Sequence, residues 1–163
     1  MKENPIPNLE PPDPVSREEI LRWLREEDPN LLEELWRRAD EVRRRTVGNS
    51  VHLRGLLEIS NHCIRSCRYC GLNVQHADLQ RYRMSEEEIL DCARQAVGFG
   101  YGTVVMQAGE DYGLTTEFIA RIVRRIKTET PLAVTLSLGE RGDRELAAWR
   151  EAGADRYLLR FET

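Results

Sequence analysis

The chain has 163 residues, of which 40% are hydrophobic and 32% charged, and its net charge is −4. That length holds one domain with a real core, and the acidic balance argues against a general attraction to nucleic acid. No apolar run approaches a membrane span, and residues 1–14 are polar, carry five prolines and lack the apolar stretch of a secretory signal. Residues 1–15 are therefore expected to be an extended or disordered lead. The protein is expected to be cytoplasmic, with neither a nucleic acid nor a membrane as partner.

Two helices are expected over residues 16–50. The first opens at Ser16, where Glu19 completes a capping box. Ile20, Leu21 and Leu24 are its apolar positions, and Asp28-Pro29 marks its end. The second runs over 30–47, with Leu31, Leu35, Ala39 and Val42 at helical spacing. Its arginines (Arg37, Arg38, Arg43, Arg44 and Arg45) read as a solvated face with cations near the helix C-terminus, rather than as a polyanion site.

From residue 51 the pattern changes. A strand is expected over 51–60, a long loop over 61–83, and a helix over 85–98 opened by a Ser85/Glu88 capping box, with Ile89, Ala93, Ala96 and Val97 facing the core. A short strand over 103–107 and a loop over 108–115 follow. The next helix covers 116–128, with Phe118, Ile119, Ile122, Val123 and Ile126 inward. A strand over 132–138, a loop over 139–142, a helix capped by Asp143 and running to Ala152, and a strand over 156–161 complete the pattern, with Gly153 suited to the position after the helix. Four strands alternating with three helices imply an α/β fold with a parallel sheet of right-handed βαβ units. The repeat of about 25–30 residues fits a (β/α) barrel of the TIM type, whose closed form takes about 250 residues. Residues 51–163 are therefore expected to be the N-terminal half of such a barrel, about four strands, from a longer enzyme.

Three of the four cysteines fall in one short run, Cys63-x-x-x-Cys67-x-x-Cys70. In a reducing compartment, clustered cysteines bind metal or do redox work more often than they form disulfides. Thiolates are the ligands of iron–sulfur clusters, and three ligands on a four-iron cluster leave one iron open for a small molecule, as catalytic metals require. The loop also leaves a strand at its C-terminal end, where barrel enzymes place their chemistry. Two other readings compete. A zinc site could add His62 or His76, although structural zinc sites pair two knuckles and no second one exists here. A thioredoxin-like Cys67/Cys70 pair should open a helix, which Arg68-Tyr69 and the preceding Cys63 disfavour. Cys92, in mid-helix beside Ala93, reads as a small buried hydrophobe.

Strand alternation adds a second set of positions. Thr135 and Ser137 share one face of the third strand, and Leu158, Arg160 and Glu162 share one face of the fourth. A charge such as Arg160, flanked by Leu159 and Phe161, needs a partner and is expected to face the lumen.

The run Cys-x-x-x-Cys-x-aromatic-Cys, with Tyr69 as the aromatic, resembles the signature of the radical S-adenosylmethionine enzymes. The likeness extends to Glu58-Ile59-Ser60-Asn61, Tyr69-Cys70-Gly71-Leu72, Arg83-Met84-Ser85, Gln107-Ala108-Gly109-Glu110-Asp111, the stretch 135–140 and the stretch 152–160. Over about residues 30–163 these resemble the HydE family of diiron-hydrogenase maturases, with the biotin synthase and methylornithine synthase families as related alternatives. The resemblance implies a 4Fe-4S cluster on Cys63, Cys67 and Cys70, and S-adenosylmethionine beside Tyr69, Gly71, Gly109, Glu110, Ser137 and Glu162. Gln107, Thr135 and Arg160 would face the substrate. The implied chemistry is cleavage of S-adenosylmethionine to a 5′-deoxyadenosyl radical. This needs no general acid or base, so no catalytic side chain is named. The implied partners are a small-molecule or small iron-complex substrate, an external electron donor and other hydrogenase maturases. A reading from another class is a cluster-binding fragment without a complete active site.

Overall fold

The computed structural model describes residues 15–160, so the expected lead over 1–14 and the residues Phe161, Glu162 and Thr163 lie outside the described residues. The chain divides into two compact units, one ending at Val51 and one beginning at His52.

The first unit holds helices α1 (Arg17–Leu24) and α2 (Pro29–Val47). Ser16 caps α1 by accepting the Glu19 N–H at 3.1 Å, but only this half of the expected reciprocal box forms. The helix stops at Leu24, earlier than Asp28-Pro29, because that pair starts the next helix. Asp28 accepts the Asn30 N–H at 2.9 Å, and Pro29 occupies the first helical position, where a missing N–H costs nothing. Gly48, at φ +75°, ends α2. Asp40 pairs with both Arg43 and Arg44, in keeping with a solvated basic face. Neither helix buries a residue.

The second unit is a four-stranded parallel sheet in the order β1-β2-β3-β4. Its strands are β1 (Gly55–Ser60), β2 (Thr103–Ala108), β3 (Ala133–Ser137) and β4 (Arg156–Tyr157). They alternate with α3 (Glu86–Gly98), α4 (Thr116–Glu129) and α5 (Asp143–Glu151). This is the α/β architecture that the alternating pattern implies. One side of the sheet packs under the helices through Leu57, Ile59, Val104, Met106, Val134 and Leu136, joined by Ile89, Leu90, Ile119, Ile122, Ile126 and Trp149. Burying each such side chain contributes about 1.5–3 kcal/mol. The opposite side carries Leu56, Glu58, Val105, Gln107, Thr135 and Ser137 in register, and Leu56 there is 58% exposed.

Several boundaries differ from expectation for local reasons. β1 begins at Gly55 rather than Val51, since pairing with β2 starts only there. β4 is confined to Arg156 and Tyr157, which pair with Thr135 and Leu136, and Leu158 to Arg160 are exposed beyond it. The Ser85/Glu88 box is complete, with Glu88 accepting the Ser85 N–H at 2.7 Å. Val97 is 37% exposed, and the core position goes to Leu90. Gly142 rather than Asp143 precedes α5, and its N–H donates to the Glu145 carboxylate at 3.1 Å. Arg121 and Arg125 on α4 reach Glu86 on α3, and Arg94 on α3 reaches Glu129 on α4. This forms a surface seam between the two helices.

Candidate functional site

β1 ends in a shift of register between Glu58 and Ser60, and the chain then enters the loop of residues 61–83, which contains no helix. A loop of this length needs its own means of order. Side chains that bind main-chain groups supply it. Arg81 donates to Asn61 O at 2.6 Å, Leu72 O at 2.8 Å and Asn73 O at 2.8 Å. Asn73, only 7% exposed, donates from Nδ2 to Cys70 O at 2.7 Å and accepts the Gln75 N–H at 2.9 Å. The Asn61 amide donates to Gln80 O and accepts the Tyr82 N–H. The loop returns antiparallel to β1 at Ser60 and Arg83.

Asp111 anchors that return. It is 2% exposed and accepts from Arg83 Nε at 2.7 Å and Nη2 at 2.8 Å, from Ser60 Oγ at 2.6 Å and from the Gly113 N–H at 2.9 Å. Burial opposes its ionisation, but the Arg83 guanidinium, the Ser60 hydroxyl and the Gly113 N–H together hold its pKa down to about 2. A Cβ at Gly113 would lie 2.4 Å from the Arg83 guanidinium, so a larger residue there would displace that side chain.

Among the described residues, Cys63 is the loop cysteine fastened to the segment just after β2. Its Sγ accepts the Glu110 N–H at 3.4 Å, and the Glu110 carbonyl accepts the Ile64 N–H at 3.1 Å. Gly109 makes this approach feasible. A Cβ there would stand 2.5 Å from His62 O and 2.6 Å from Cys63 Cβ. Cys67 and Cys70 share a turn in which the Cys70 N–H donates to Cys67 O at 3.2 Å. All three are partly exposed free thiols, as is Cys92, which lies against the core as its helical position implies. A cleft of about 350 Å³ opens beside Cys63, walled by His62, Val74, His76 and Leu79 with Arg81 and Arg83.

The donor set suits a multinuclear thiolate-bound cluster. Free thiols at spacings of three and two lie on one ordered loop, and the Cys63 sulfur already accepts a main-chain N–H, a bond that stabilises cluster thiolates. Among the described residues no three of His, Cys, Asp and Glu are gathered as the ligands of a single ion.

The other expected positions separate into groups. The Glu110 carboxylate is 7% exposed and already engaged: Arg65 lies at 3.1 Å, and the Tyr112 hydroxyl and the Glu140 N–H donate to it. Arg65 also meets Glu140 at 3.0 Å. Gly139, at φ +83°, sits against the same carboxylate. Gln107 donates to Glu58 at 3.2 Å and accepts from Arg160. These three residues form a polar row across the sheet, on the side away from the helices. Arg160 finds its expected partner there, though the residue is exposed. Thr135 and Ser137 are buried on that same side of β3. Tyr69 and Gly71 are exposed on the loop, and Glu162 lies outside the described residues.

Sequence reasoning missed the structural parts played by Arg81, Asp111, Asn61, Asn73, Ser60 and Glu58. Glu58, Ser60, Asn61 and Asp111 stand in the stretches that carry the family resemblance, but nothing in their spacing told what each would bond. Among the described residues no helix is long and apolar enough to cross a membrane.

Comparison with known proteins matches residues 57–163 to the Radical SAM superfamily. The chain is 48% identical to the FeFe hydrogenase maturase subunit HydE of Thermotoga maritima over 91% of its own length and 42% of that protein. It is 34% identical to the biotin synthase of Pelobacter propionicus, covering 91% of this chain and 47% of the synthase. Among solved structures it superimposes on methylornithine synthase (PylB) with a TM-score of 0.81 and 28% identity, covering 89% of this chain and 43% of that one. The chain thus spans less than half the length of these relatives. It belongs to the radical SAM superfamily.

Proposed function

We propose that the chain binds a 4Fe-4S cluster through Cys63, Cys67 and Cys70 and works with S-adenosylmethionine in a HydE-like maturase, in assembly of the FeFe-hydrogenase active-site cluster. When bound and reduced, the cluster supplies the electron that cleaves S-adenosylmethionine to methionine and a 5′-deoxyadenosyl radical. The observation that carries this reading is the junction of Cys63 with Gly109 and Glu110, where the cysteine thiol accepts a main-chain N–H from the segment just after β2. Gly109 lets the cysteine loop approach the segment after β2 this closely. Arg65, Glu110 and Glu140 tie the cysteine loop to the loops after β2 and β3. On the helix-free side, Glu58, Gln107 and Arg160 offer donors and acceptors to a small polar substrate, and Arg160 suits a carboxylate through its planar fork. The 48% identity to the Thermotoga HydE favours a small iron complex as substrate, over those of biotin synthase or methylornithine synthase. An external electron donor and other maturases would be its partners.

The test is anaerobic reconstitution with iron and sulfide, followed by dithionite and S-adenosylmethionine. Formation of 5′-deoxyadenosine is expected, at a weak rate at best for these 163 residues alone. Intact S-adenosylmethionine beside a fully formed cluster would reduce the chain to a cluster-binding module. One zinc and no iron per chain would overturn the cluster itself.

A further inference from the structure

Arg81 has a geometry that the roles above leave unused. Among the described residues its half-buried guanidinium donates only to main-chain carbonyls, those of Asn61, Leu72 and Asn73. Asn61 lies just ahead of Cys63, and Leu72 and Asn73 lie just after Cys70. One side chain therefore joins the two ends of the cysteine-bearing segment. A rigid fork of five N–H donors can hold several carbonyls at fixed angles, which a single ammonium cannot do. Asn73 extends the clamp inward through its bond to Cys70 O. Among the described residues no carboxylate pairs with Arg81: Asp111 takes Arg83, and Glu110 takes Arg65.

We propose that Arg81 is a positioning residue for the cysteine cradle. It closes residues 61–73 into a ring and holds a positive charge, which no carboxylate among the described residues pairs, beside the centre that the three thiolates bind. The inference rests on the iron–sulfur reading above. Closing the ring in advance removes loop entropy that metal binding would otherwise have to overcome. Local charge and hydrogen bonding set a cluster's reduction potential.

The experiment reconstitutes the unmutated chain, Arg81→Ala and Arg81→Lys anaerobically with ferrous iron and sulfide. It measures the thermal melt, the rate of iron release to a strong chelator, and the midpoint potential in a titration followed by electron paramagnetic resonance. Arg81→Ala is expected to melt close to the unmutated chain, to release iron about tenfold faster through loss of charge-assisted bonds, and to show a more negative potential. Added guanidinium should slow the release again. Arg81→Lys is expected to keep a near-native potential yet release iron faster, because the charge survives and the fork does not. Native release and potential in Arg81→Ala would overturn the proposal. Global unfolding of Arg81→Ala would also overturn it, by making the residue a determinant of the fold. If the unmutated chain forms no cluster, the iron–sulfur reading falls as well; if it forms one and the variants match it, only the role of Arg81 falls.

Discussion

The helix-covered side of the sheet and the cysteine loop at its end are ordered by opposite means. The first is apolar and closed: Val104, Met106, Ile119, Ile122 and Val134 are wholly buried, and their contacts are many, small and non-directional. The second holds few apolar contacts and a handful of directional ones, most of them from side chains to main-chain carbonyls around Arg81, Asn61 and Asn73, with buried Asp111 at its base. Loss of one partner in such a network leaves the others desolvated and unpaired. The core should therefore lose stability by degrees while keeping the loop's chemistry. The loop should lose its chemistry at single positions while the core stands.

The largest effect that separates the two belongs to Gly109→Ala. Its Cβ has no space between His62 O and Cys63 Cβ, so the loop must lift from β2. Iron bound after reconstitution should fall about tenfold, taking a displacement cost of at least one or two kcal/mol, with the circular dichroism spectrum retained; native iron content would show that the loop does not need this contact. Ile122→Ala is the converse. It should lower the unfolding free energy by about 2–5 kcal/mol in a denaturant titration yet bind iron normally under native conditions, and parallel losses of stability and iron would erase the contrast.

Asp111→Ala falls between them, because it unpairs Arg83 and Ser60 at the boundary between sheet and loop. A loss of about 1–3 kcal/mol is expected. The pH dependence gives a second reading of the same site. The folded pKa of Asp111 is held down to about 2 from an ordinary value of 3.8, so unfolding takes up a proton in this range. Its stabilisation is complete above about pH 4 and disappears as the pH falls toward 2. Asp111→Asn should flatten that part of the acid-unfolding curve, and an unchanged curve would remove Asp111 as its cause. The smallest effect is expected from Arg125→Ala in the seam between α3 and α4. Exposed ion pairs contribute little, so the melting temperature should move by less than about 2 °C. A larger shift would mean that the seam orders the helices.

The same contrast explains what was legible in the sequence. Burial repeats at helical or strand spacing, so Ile89, Ala93 and Ala96 on α3 and the inward positions of α4 follow from periodicity. The Ser85/Glu88 box was equally readable because its partners are local. Errors arose where periodicity alone does not decide, as with Leu90 in place of Val97, or where one residue serves the next element, as Asp28 does for α2. The cysteines were legible as a set by spacing. The bonds that hold them were not, since Arg81 reaches back 20 residues to Asn61 and Asp111 lies 28 residues from Arg83. Such pairs leave no periodic trace. The polar row of Glu58, Gln107 and Arg160 required the sheet register before its members became neighbours.

The antiparallel return of the loop along β1 bears on how copies of this chain behave toward one another. Arg83 bridges Ser60, the Met84 N–H donates to Ile59 O, and the Tyr82 hydroxyl donates to Glu58 O. β1 lies at the margin of the sheet, where unpaired main-chain groups invite strand addition from another molecule. Residues 82–84 occupy those groups along the half of β1 nearest the cysteines. The segment that closes the loop thus also acts as an edge guard.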